Sequence, residues 1–175
     1  FGAGHVAKAV VQILAGLPWR VTWVDSRAAQ FPKEAPTNVH PHLTDDPVGD
    51  APDLCDGRHV LILTHNHALD FELCRTLLTR GTCNSIGLIG SGTKARRFRQ
   101  RLAHRGFDAD AIGTIRCPVG LPQVPGKRPM EVAVSICAEL LAMTHQVPAT
   151  PPRRGVAWKD LRQLIEHPSE GDATP

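Results

Sequence analysis

The chain has no Cys-x-x-Cys pair. Its five cysteines, Cys55, Cys74, Cys83, Cys117 and Cys137, stand far apart, and their odd number argues against a disulfide framework. A reducing, cytoplasmic setting is expected. No apolar run approaches the roughly 18 residues a membrane span needs. No charged leader precedes a short apolar stretch with a cleavage site, so an unexported protein with no membrane partner is expected. A basic block is also lacking. Lysine and arginine number 20 against 17 acids, a net charge of +3, and the one local cluster is Lys94, Arg96, Arg97, Arg99 and Arg101. That balance demands no nucleic-acid partner, and a small anionic ligand accounts for it more simply. There is no tandem repeat, no Ser-His-Asp order and no glycosidase-like carboxylate pair, so no residue is assigned a catalytic role.

What is present reads as a globular α/β chain. Hydrophobic residues make up 42% and charged residues 21% of 175, which favours neither disorder nor a membrane protein. The length suits one domain, placed at residues 1–147, with a proline-rich polar tail over 148–175. The tail is expected to hold one short helix at Trp158–Ile165 and disorder from Ser169.

Strand and helix signals alternate along the domain. Val6, Ala9, Val10, Ile13, Leu14 and Leu17 recur at helical spacing after His5, and Gly16 and Pro18 end the run. Arg20–Val24 reads as a short strand, and Thr37–Val39 as another before proline-rich loop. His59–Leu63 and Ser85–Ile89 are continuous apolar runs, the pattern of strands covered by helices on both faces. Helices follow at Leu69–Arg80 and Thr93–His104. After an irregular segment, Cys117–Arg128, a long helix is expected at Glu131–Gln146 with Pro129 in its first turn. This alternation predicts a Rossmann-like, doubly wound parallel sheet. Phe1 leads straight into a glycine loop, so the chain is expected to be a fragment lacking the first strand.

Three groups of residues carry binding chemistry. Gly2, Ala3, Gly4, His5, Val6 and Ala7 form a GxGxxA run that opens a helix, and Asp25 ends the next strand about 20 residues later. Gly2 suits the tight turn, and Gly4 lets a phosphate reach backbone N–H groups at the positive end of the helix. Asp25 can accept hydrogen bonds from a ribose-like diol. A turn kept only for packing would look the same locally. Arg27 either meets a phosphate or is a solvated loop arginine, so NAD and NADP are not separable.

The second group, Thr64, His65, Asn66, His67 and Asp70, lies where a buried strand meets its helix. His65 and His67 are candidates for hydrogen bonding to a ligand. The competing readings are metal ligation, which lacks an adjacent Asp-His pair, and plain helix capping by Asn66. No metal is assigned. The third group, Gly90, Ser91, Gly92, Thr93, Lys94 and Arg97, repeats a flexible turn, a helix start and nearby cations, which suits phosphate. The glycine spacing is not that of a Walker loop, and a turn whose basic helix merely faces water remains open. The cysteines read as buried hydrophobes, with Cys117, in a loop, the exception.

Taken in order, GAGHVAKA, VDSR, THNHALD, IGLIGSGTKARRF, CPVGL and GKRPMEVAVSICAEL resemble the successive motifs of the Rossmann domain of the XdhC/CoxI family, over residues 1 to 146. The resemblance implies a cytoplasmic maturation factor that binds molybdenum cofactor and protects it while a metal oxygen is replaced by sulfur. It also implies help with insertion into xanthine dehydrogenase or a related molybdenum hydroxylase. Implied partners are the target's molybdenum-binding subunit, a cysteine desulfurase and a second copy of the chain. Pro129, Glu131 and Glu139 match the family's helical motif without a readable role. Family members usually carry a separate N-terminal domain, which this sequence does not include. The residues alone also fit an NAD(P)-dependent oxidoreductase, though no substrate domain accompanies them.

Overall fold

The computed structural model describes residues 1–145, of which Phe1–Thr144 form one compact unit. The expected helix at Trp158–Ile165 and the expected disorder from Ser169 lie outside the described residues. Six helices and five strands follow one another in the unit: α1 (His5–Leu14), β1 (Val21–Asp25), β2 (Val39–Leu43), α2 (Pro47–Cys55), β3 (His59–Ile62), α3 (His67–Arg80), β4 (Ser85–Leu88), α4 (Gly92–His104), α5 (Ala109–Gly113), β5 (Ile115–Arg116) and α6 (Pro129–Thr144). A single 3-10 turn, Ala28–Gln30, follows β1.

All pairings are parallel, as expected, but they fall into two groups. β1 pairs with β2, and β4 lies between β3 and β5. Phe1 and Gly2 bridge them. Phe1 donates its terminal nitrogen to Leu61 O at 2.7 Å and accepts from Leu63 N at 2.8 Å, while Gly2 N reaches Val24 O at 2.8 Å. Phe1 thus pairs both its backbone groups with β3 just ahead of the glycine turn. Below it a cleft of about 430 Å³ separates β1 from β3, walled by Trp19, Val21, Thr22, His59 and Leu61, with Leu140 from α6.

Side-chain alternation along β3 explains why helices cover both faces. Val60 and Ile62 join the core that contains Phe71, Leu73 and Leu77 of α3 and Phe98 and Leu102 of α4. Leu61 and Leu63 face the opposite core, where Ala7, Val10 and Leu14 of α1 meet Ala133, Ile136 and Leu140 of α6. Phe71, fully buried, meets Phe98 edge to face at 5.5 Å between ring centres. Burying a side chain of this size contributes about 1.5–3 kcal/mol. Gly87 in β4 has a packing reason, since a Cβ there would lie 2.7 Å from Val119 Cγ2. The IGLIG and CPVGL segments therefore lock together.

Two departures from the sequence reading have physical causes. The segment after β2 reads as loop because of Pro47, Gly49 and Pro52, yet it forms α2. Pro47 occupies the first helical position, where its missing N–H costs nothing, and Asp46 accepts from Gly49 N at 2.9 Å. Burial of Ala51 and Cys55 against α3 outweighs the proline at position 52. The expected strand Thr37–Val39 instead spans Val39–Leu43, with Pro41 tolerated because β2 pairs on one side only.

Candidate functional site

Parallel strands bring the three predicted groups to the same, carboxyl, edge of the strands. There the first glycine turn stands between the ends of β1 and β3, the position where ligands of open α/β sheets bind. Gly2 adopts φ +101°, and a Cβ on it would lie 2.8 Å from Leu63 O, so only glycine fits. Trp23 Nε1 donates to Gly2 O at 2.9 Å and fixes the turn from below. Sequence reasoning took Trp23 as an ordinary strand residue, and nothing in its local pattern marks it as an anchor.

The turn ends at Gly4, which caps α1 with no side-chain hydrogen bond. The His5, Val6 and Ala7 amides that open α1 have no acceptor among the described residues. Nothing lies within 4 Å of a Cβ added at Gly4. His5 itself is exposed. The helix start is therefore an unfilled set of donors at the positive end of the dipole, with open space in front. The capped starts differ. Asp46, Asn66, Ser91 and Asp108 each accept backbone N–H bonds at the starts of α2, α3, α4 and α5.

Asp25 is already committed within the chain. One carboxylate oxygen accepts Ala3 N at 2.7 Å and Arg27 Nη2 at 2.9 Å, and the other accepts Arg27 N and Nε at 2.9 Å each. Four bonds use about all the acceptor sites a carboxylate offers. The Arg27 fork, helped by the Arg27 and Ala3 amides, holds the carboxyl at about 2 against the opposing effect of burial. Asp25 thus pins the glycine turn and Arg27 together. The Arg27 side chain stays 43% exposed beside the crevice.

The second and third groups meet each other. Thr64 Oγ1 donates to Asp70 Oδ1 at 2.6 Å, and Lys94 Nζ donates to Asp70 Oδ2 at 2.5 Å and to Ile89 O at 2.8 Å. Asp70 is wholly buried and Lys94 is 9% exposed. Three residues read as ligand-facing thus tie β3, α3 and α4 together beneath the strand edge. Asn66 caps α3, accepting from Ala68 N and Leu69 N, while His65 and His67 are exposed with no partner among the described residues. No group of three or more metal-ligating side chains occurs among the described residues. Ser91 accepts from Lys94 N at 3.2 Å, Gly90 packs against Lys94 and Cys117, and Arg97 is exposed.

All five cysteines are free, and Cys117 proves buried despite its loop position. Burial pushes the Cys55 and Cys74 thiols up to about 12 and that of Cys137 to about 11, and raises Cys117 in spite of Lys94 and Arg99 nearby. The thiolate, the reactive form, is disfavoured at each.

A family model described as the XdhC Rossmann domain matches residues 1–140. The chain belongs to the XdhC family. A crystal structure described as a xanthine dehydrogenase from Bacillus halodurans has a TM-score of 0.69 and 26% identity, covering 86% of this chain and 44% of that one. The chain therefore spans less than half the length of that solved relative. No curated protein matches it. The fold and the motif resemblance agree with this XdhC assignment, and among the described residues no helix is long and apolar enough to cross a membrane.

Proposed function

We propose that this XdhC-family domain belongs to a cytoplasmic accessory protein that binds molybdenum cofactor as cargo. It shelters the cofactor during sulfuration and helps insert it into xanthine dehydrogenase or a related molybdenum hydroxylase. The observation that supports the reading most is the uncapped start of α1. Free amides, open space at Gly4 and the strand-edge crevice match the needs of a phosphate-bearing ligand. The phosphate of the pyranopterin, or of its dinucleotide form, would sit on the His5, Val6 and Ala7 amides. Arg27, oriented by Asp25, would meet a second polar or anionic part of the ligand, and exposed His65 and His67 would border the head group. The domain orients and shields, and the bond making belongs to a cysteine desulfurase partner. A homodimer and contact with the hydroxylase's molybdenum-binding subunit complete the proposal.

The test is direct. Natively purified protein should release a molybdenum-bearing pterin detectable by mass spectrometry, and Gly4→Val should abolish that capture by filling the space in front of α1. Unchanged cofactor affinity in Gly4→Val would remove the glycine turn from the mechanism. Saturable NADH binding with catalysed hydride transfer would favour the oxidoreductase reading instead.

A further inference from the structure

α4 carries charge of one sign only. Arg96, Arg97, Arg99 and Arg101 lie on it, Arg105 follows at its end, and all five are exposed, while the helix has no acidic residue. Of the seven described arginines elsewhere, four pair with carboxylates, Arg27 with Asp25, Arg75 with Glu72, Arg116 with Glu139 and Arg128 with Glu131, and Arg20, Arg58 and Arg80 do not. None of the α4 arginines has a salt bridge or side-chain hydrogen bond among the described residues. Arg101 lies over the Phe71 ring at 3.8 Å, which leaves Arg96, Arg97, Arg99 and Arg105 without a partner among the described residues.

This arrangement is unfavourable for the helix on its own. Arg97 and Arg101, and Arg101 and Arg105, are four residues apart, a spacing at which like charges repel by a few tenths of a kcal/mol. Arg101, in the last turn, is favoured by the helix dipole, but the repulsion between neighbouring arginines remains. A partner that supplies negative charge would relieve it.

We infer that the exposed face of α4 docks an acidic surface of a partner protein. The cations are arginines, whose planar forks pair with carboxylates and phosphates alike and which are enriched at protein interfaces, whereas the one lysine of the helix is turned inward to Asp70. Two observations favour a protein over other polyanions. Among the aromatic residues of this region Phe71 and Phe98 are buried and the half-buried Phe107 packs against the same core, so no ring stands free for stacking on nucleic-acid bases. The apolar residues Ala95, Phe98 and Leu102 are buried too, leaving no hydrophobic edge to enter a lipid surface. α4 also begins at Ser91–Gly92, on the same strand edge as the cofactor crevice. A protein docked there would lie beside the cargo.

The choice of probe rests on the proposed accessory role. The full chain is titrated with cofactor-free xanthine dehydrogenase, with a short duplex DNA and with phosphatidylserine vesicles, and cofactor capture is measured on the same preparations. The expected result is a complex with the dehydrogenase that weakens steeply with added salt. The variant R96E/R99E/R105E should weaken it by roughly tenfold or more, R96K/R99K/R105K by less, and both should capture cofactor as the parent does. Equal binding by the charge-reversed variant, a complex indifferent to salt, no complex at all, or a preference for DNA or vesicles would each overturn the inference. Cofactor capture without a complex defeats only this inference, whereas a complex without cofactor capture defeats only the proposed function.

Discussion

The molecule contains two glycine turns that look alike in sequence and differ in what fills them. Gly2–His5 delivers the chain into α1 with no cap, no side chain in front of the amides and open space at Gly4. Gly90–Lys94 delivers it into α4, where Ser91 caps the helix and Lys94 turns inward to Asp70 and the Ile89 carbonyl. The second turn has used its own residues to satisfy the groups that the first leaves available. A glycine-rich strand-to-helix turn is thus a place where an anion can be held, and whether it is free depends on where the next few side chains point.

The largest expected effect tests the filled turn. Lys94→Ala would leave the wholly buried Asp70 carboxyl held only by Thr64, and removal of one partner from such a pair costs about 3–5 kcal/mol. Urea unfolding of the variant should show that loss, and cofactor capture by folded protein should persist. The double change Asp70→Asn with Lys94→Met should recover part of it, because no buried charge then remains. A Lys94→Ala protein of parental stability that loses the ligand would make Lys94 a phosphate group's partner and erase the contrast between the turns.

A smaller effect tests the open turn's support. The folded carboxyl of Asp25 titrates at about 2, below its ordinary 3.8. Its stabilisation is therefore complete above about pH 4 and disappears as pH falls from there through about 2. The contribution is on the order of 1–2 kcal/mol once solvent screening at the half-exposed Arg27 is allowed for. Unfolding free energies of the parent and of Asp25→Asn should differ by about that amount near pH 5 and converge near pH 2. A difference that stays constant with pH would mean that Arg27 does not hold Asp25 as the geometry indicates.

Much of the fold is legible in the residues, and the exceptions are instructive. The 3.6-residue recurrence in α1, the proline-led helix α6 and the apolar runs of β3 and β4 lie within a few residues of the observed elements, because both cores are built from those segments. α2 escapes because its prolines and glycine read as loop, while its stability comes from Ala51 and Cys55 packing on α3, a contact between segments. α5 and β5 escape because Ala109–Arg116 is too short for a period to show. At the site, the glycine turn, Asp25 and Arg27 are legible as a constellation, but their mutual saturation is not. Likewise a lysine after a glycine turn reads as a cation for a ligand, since local sequence does not reveal a buried aspartate 24 residues earlier in the chain.

The smallest effect would convert one turn into the other. Serine at position 4 would place an Oγ where Ser91 has one, in reach of the first-turn amides of α1, and nothing within 4 Å of the new Cβ obstructs it. Serine caps better than glycine by only a few tenths of a kcal/mol, so Gly4→Ser should stabilise the fold by about that much. The ligand would then have to displace an internal hydrogen bond worth about 0.5–1.5 kcal/mol, and cofactor affinity should fall by roughly threefold to tenfold. The reverse change, Ser91→Gly, should cost a few tenths of a kcal/mol and leave affinity unaltered, because Lys94 still fills that turn. Paired melting curves and cofactor titrations of the two variants decide the matter. If Ser91→Gly weakens capture and Gly4→Ser does not, the ligand belongs to the second turn, and the open amides of α1 are simply solvated.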